Sequence, residues 1–219
     1  MSESIFKEME RAFGEVERTV TSAVSVTDGM MALLDYCERV SPAEVWAGLR
    51  SVDYQVDVEG IYAWLTDLLK TEPVPANVKA FWFGLTEVAD DDDNHSYVVY
   101  ISGSTNKYTK KSMDWACWRE DSYLPGDRYA PSPALHAIYA ALQGSPDQIA
   151  FGEYVLLLGY AGLAVTEAVR RLPAGALFGE LEAAKALAKT KRDVVIGFDD
   201  GDFVHLGVAT PTAWAASTP

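Results

Sequence analysis

Cysteine is scarce in this chain: 219 residues hold only Cys37 and Cys117, with no Cys-x-x-Cys pair and no Cys/His cluster. Zinc sites of that type are excluded. Both thiols read as small buried groups, and a Cys37–Cys117 disulfide has no secretory segment to support it. Positive charge is also scarce. Lys and Arg number 18 against 32 Asp and Glu, a formal charge of −14. Nucleic acid and anionic membrane both demand a Lys/Arg-rich face, so neither is expected as a partner. Histidine is limited to His95, His136 and His205, and no HExxH, GxSxG, GxGxxG or P-loop occurs. A hydrolase built from Ser102 or Ser104 with one of these histidines has no spacing behind it. No organic cofactor is indicated. The most apolar stretch, residues 154–165, falls short of the roughly 20 residues of a bilayer span. Glu153 and Glu167 bracket it, and it reads as a buried core helix. The charged N-terminus MSESIFKEMERAF is unlike a signal peptide, so the expected location is cytoplasmic.

Apolar residues, by contrast, make up 49% and aromatics 11%, enough for a substantial core. Ile5, Met9, Ala12, Phe13 and Val16 recur at helical spacing over residues 3–19. Thr27 or Asp28 is a candidate cap for a second helix running to about Val40. Ser41-Pro42-Ala43-Glu44 resembles a capping box for a short helix holding Val45, Trp46 and Leu49. Asp57 is the expected cap of a further helix, which the prolines of TEPVPAN end. Later helices are expected from Ser132-Pro133, from about Pro146 to Arg171, and over 178–190.

Two runs, 79–88 and 96–102, are rich in Phe, Trp, Val, Tyr and Ile on both faces. They predict central strands covered on two sides. The turn between them carries Asp90, Asp91, Asp92 and Asp93. Asp90, Asp92 and Asn94 match the first, third and fifth positions of a calcium loop. His95 stands where that loop needs Gly, and Ile101 where it needs a bidentate Glu, so no metal is expected. A second acidic turn holds Asp199, Asp200 and Asp202; Asp200-Gly201 between apolar runs is a hairpin signal. Were both turns at one end of the sheet, they would form one negative patch. Strand character is expected again over 114–119. The whole predicts an α+β fold: an antiparallel sheet with central apolar strands, covered by several helices. It is read as a single domain over residues 1–210 with a loose tail, 211–219.

Between Tyr108 and Tyr129, aromatic and charged residues alternate, a composition common at interfaces and also compatible with a core. Trp115 and Trp118, three apart, would face opposite sides of a strand. The segments VKAFWFGLTE, YVVYISGS, DWACW and VIGFDDGD together resemble the small acidic α+β immunity proteins of bacterial polymorphic toxin systems. What this resemblance implies is tight binding that occludes a toxin's active site. The resulting expectation is a non-enzymatic protein-binding domain whose partner is a basic toxin domain. The acidic turns would steer the encounter, and Tyr108, Trp118, Arg119 and Tyr123 would anchor it. Two alternatives stay open: a divalent-metal hydrolase using the clustered aspartates, and an accessory subunit of a larger assembly. The plainer reading of the charge is that it confers solubility.

Overall fold

The computed structural model describes residues 3–89, 95–145, 148–179, 190–199 and 201–218, with side chains from residue 8 onward. The chain has an α+β fold. Helices α1 (Glu3–Thr21), α2 (Val26–Val40), α3 (Val45–Leu49) and α4 (Tyr54–Thr71) come first. Strands β1 (Ala80–Ala89), β2 (His95–Ser104) and β3 (Tyr129–Ala130) follow, then α5 (Pro133–Gln143). A continuous helical run comprises α6 (Ile149–Gly152), a π-helical stretch (Glu153–Leu157) and α7 (Leu158–Arg171). Strands β4 (Arg192–Phe198), β5 (Phe203–Ala209) and β6 (Trp214–Ala216) complete the sheet.

The sheet order is β3-β2-β1-β4-β5-β6. All neighbours are antiparallel except β1 and β4, which run parallel from Ala80↔Asp193 to Leu85↔Phe198. The period of two divides the strands cleanly. Phe81, Phe83, Leu85, Val99, Ile101, Val194 and Ile196 join the cluster that contains the helices' buried residues. On the opposite face Ala80, Trp82 and Val195 pack with Trp115 under the segment that follows β2. Phe81, Phe83 and Val99 are fully inaccessible, as the apolar runs require. β1 is central; β2 lies one strand in from the edge, and the sheet is mixed rather than wholly antiparallel.

Several local expectations are corrected. Ser25, not Thr27 or Asp28, caps α2, its hydroxyl accepting from the Asp28 amide. Ser41 ends α2 and reaches Gln148 instead of starting α3. Asp53 caps α4. Asp57 lies one turn further in and is buried, serving the start of α5: it accepts from Ser132 Oγ (2.7 Å), the Ala134 amide (3.3 Å) and the Tyr160 hydroxyl. A carboxylate there complements the positive end of α5. Residues 114–119 are no strand: Met113–Trp115 is a single 3₁₀ turn. Trp115 is buried and Trp118 is 67% exposed all the same, because the turn, not strand alternation, separates them. Cys117 is exposed, unlike Cys37, whose burial pushes its thiol up to about 12. The tail is not loose, since Trp214–Ala216 pairs with β5 as β6. Of the helix expected over 178–190, residues 176–178 form a 3₁₀ turn and 180–189 lie outside the described residues.

Among the described residues one helix, Ile149–Arg171, is long and apolar enough to cross a membrane; 67% of its most apolar window is buried inside the fold. Its α7 portion packs against α1, α2, α4 and the sheet.

Candidate functional site

The parallel pairing of β1 with β4 decides where the acidic turns go. Both strands run toward the same end of the sheet, so the β1–β2 turn and the β4–β5 turn leave from that end. Asp90, Asp91, Asp92, Asp93 and Asp200 lie outside the described residues. Asp199 and Asp202 are exposed. Glu87 on β1 and Glu153 on the π-helical stretch add to the acidity of this end. Glu153's carboxyl is raised by burial and by the neighbouring charge of Glu87. Tyr139 donates to Glu87 (2.6 Å), which holds that carboxyl below its usual range and pushes the phenol up to about 12. His95 Nδ1 lies 2.8 Å from the same oxygen. Tyr97 packs edge-on against Tyr139 and Phe198, and Tyr154 stacks on Phe198. Glu87 thus borders an aromatic cluster of Tyr97, Tyr139, Tyr154 and Phe198.

Asp199 is held more firmly than a turn residue usually is. Its Oδ1 accepts from Tyr100 Oη (2.6 Å) and Trp82 Nε1 (3.3 Å), both reaching across the face away from the helices. Burial first, then the bond to Asp199, raises the Tyr100 phenol. The Tyr100 ring crosses directly over Gly84, where any Cβ would overlap it. Glycine at 84 is therefore what lets Tyr100 lie flat and reach the turn.

The expected anchors separate. Trp118 and Arg119 are exposed on the segment after β2. Tyr123 is buried, bridges to Gly103 and donates to the Glu72 carbonyl (2.6 Å), so it is a structural residue and not a surface anchor. Tyr108 is half-buried against Trp115, Phe203 and His205. The segment bearing Trp118 packs through Trp115 on Trp82, seven positions before Ala89. Trp82 in turn reaches Asp199, so this segment packs on a residue that touches the β4–β5 turn.

A third arrangement was missed in the sequence. His205 Nε2 lies 2.9 Å from Asp193 Oδ1, and its Nδ1 lies 2.6 Å from Ser217 Oγ. The expected serines are elsewhere: Ser104 is buried and donates to the Trp115 carbonyl, and Ser102 is buried in β2. Asp193, His205 and Ser217 recur every 12 residues. That interval is the strand-plus-turn period of an antiparallel meander and was a usable signal once β6 was known to be a strand.

No group of three His, Cys, Asp or Glu is placed to hold a metal ion among the described residues. Ile101, at the calcium loop's bidentate position, is buried in the core. A chelator is expected to leave the melting temperature unchanged; a drop of several degrees would restore the metal reading, because loss of a bound ion lowers stability by mass action. No protein-family model matches the chain, nor does any curated protein or solved structure.

Proposed function

We propose that this chain is a protein-binding domain of the cytoplasm whose acidic end receives a basic protein partner, in the manner of an immunity protein occluding a toxin. The observation that carries the reading is the parallel β1–β4 register, which sends both aspartate-bearing turns to one end of the sheet. The chain's formal charge of −14 is of the sign that attracts a basic partner. Charges of this kind act mainly on encounter, since salt screens them beyond about 10 Å at 0.1 M. Trp118 supplies what charge does not: a large exposed aromatic surface, with Arg119 beside it.

The two contributions part in kinetics. Replacing Asp90 to Asp93, Asp199 and Asp202 by Asn is expected to slow association with the product of the neighbouring gene. High salt is expected to do the same, with dissociation nearly constant in both cases. Trp118→Ala is expected to speed dissociation and leave association alone. Surface-binding measurements at low and high salt decide it. Absence of binding at either salt, or an association rate indifferent to both salt and charge, removes the proposal.

A further inference from the structure

We propose that Ser217, His205 and Asp193 form a nucleophilic ester-cleaving site, independent of the protein-binding reading. The bonding order follows from what each group can do. A carboxylate only accepts, so His205 must present N–H at Nε2 to Asp193. Nδ1 then carries the lone pair, and the Ser217 hydroxyl 2.6 Å away donates to it. This is the order a base needs to activate a hydroxyl: nucleophile, imidazole, orienting carboxylate. Asp193 lies on β4 and His205 on β5, and Ser217 directly follows β6.

An irregularity in the ladder sets the alignment. Val195 opposes His205 but Val194 opposes Gly207, so Leu206 is an extra residue on β5. Bulges of this kind re-aim side chains. The carbonyl of Leu206 also accepts the Ser217 amide at 2.9 Å, fixing the serine's backbone to the bulge. At Gly207 a Cβ would run into Trp214 and the Ala215 carbonyl, so the glycine admits β6 at this distance. Tyr108 stacks on the imidazole at 4.6 Å and holds its plane.

Ser217 and His205 line two open clefts. The larger, about 510 Å³, is walled by Phe13, Tyr108 and Phe203, with Glu17, Asp202 and Lys110 at its margin. Aromatic walls and two carboxylates select an uncharged or cationic ester with an apolar or aryl group and disfavour anions. Lys110 adds one positive charge to the same lining. The smaller cleft, about 390 Å³, gives water a second approach. His205 and Asp193 side chains are 23% and 29% exposed, sheltered yet reachable.

In the reaction Ser217 Oγ bonds to the ester carbonyl carbon as its proton passes to His205 Nδ1, and Asp193 stabilises the imidazolium. The tetrahedral adduct breaks its bond to the alkoxy oxygen, which leaves as the alcohol with that proton. Water then attacks the acyl-Ser217 carbon and gives a proton to His205. Ser217 Oγ departs and recovers that proton, and the carboxylic acid is released. Ser217 is the nucleophile and His205 the base. Asp193 is a positioning residue.

The test uses the full chain with p-nitrophenyl acetate and, separately, a fluorophosphonate probe. A burst of p-nitrophenol approaching one equivalent is expected, with the acetyl or phosphonyl group on the Ser217 peptide by mass spectrometry. Ser217→Ala is expected to abolish burst and label, and His205→Gln to slow acylation by about 10²–10⁴-fold. Asp193→Asn is expected to slow acylation and to move the His205 tautomer away from Nε2–H in ¹H–¹⁵N spectra; an unmoved tautomer would overturn its positioning role. No adduct, an adduct on another residue, or a burst that survives in Ser217→Ala overturns the site. Peptide mapping of the unaltered chain decides the matter even should Ser217→Ala fail to fold.

Discussion

Phe83→Ala is expected to destabilise the fold by about 3–5 kcal/mol, the cost of removing a fully buried aromatic ring and leaving a cavity. Phe83 is completely inaccessible and sits on the central strand, with Ile101 and Ile196 directly beside it on β2 and β4. Those neighbours are held by ladders on both sides, so the site has little freedom to collapse into the vacated space. Urea unfolding should show a lower midpoint at unchanged slope. For a chain of this size the melting temperature should fall by on the order of 10 °C. Trp118→Ala is the internal control: an equally drastic truncation at a residue 67% exposed, expected to stay within about 0.5 kcal/mol. Equal losses for the two variants would contradict the sheet position assigned to Phe83.

The second large effect is expected at Asp57. Its carboxylate is the shared acceptor for the Ser132 hydroxyl, the Ala134 amide and the Tyr160 hydroxyl, all buried. Burial and the neighbouring Asp57 charge raise the Tyr160 phenol strongly, which keeps it a donor. Asp57→Ala leaves three donors facing a space without an acceptor. Each stranded group costs about 1–3 kcal/mol, offset in part by no longer burying a charge, so a net loss of about 2–4 kcal/mol is expected. Tyr160→Phe, which removes one donor and leaves the carboxylate with two, should cost about 0.5–1.5 kcal/mol. A double-mutant cycle should give a coupling well above experimental error. Additive losses would show that the three-way junction between α4, α5 and α7 is not one network.

What the sequence by itself determined is the part governed by local pattern. The helical periodicity of α1, α2 and α4, the buried faces of β1 and β2, and the hairpin pairing of β4 with β5 are all signalled within a few residues and are visible in a short window. Caps were harder to read: Asp57 has the chemistry of a cap, but the helix it serves begins 75 residues later. The strand expected over 114–119 does not form, because the aromatic density there reflects packing of Trp115 on Trp82 and Val195, not alternation along a strand. Tyr123 reads as an interface residue by composition and is buried by its distant bond to Glu72.

Tertiary structure alone decided where the functional groups meet. Whether the two acidic turns share an end depends on β1 and β4 running parallel, which follows from the chain leaving β2 and entering β4 at the same end of the sheet, beside Ala80. Whether His205 meets Asp193 and Ser217 depends on one extra residue in the β5 ladder and on a tail that pairs as β6. Both are long-range pairings. Patterning fixes which face of a strand is apolar; the neighbour and direction are chosen by the packing of the whole sheet against its helices, a sum over contacts that no short window contains.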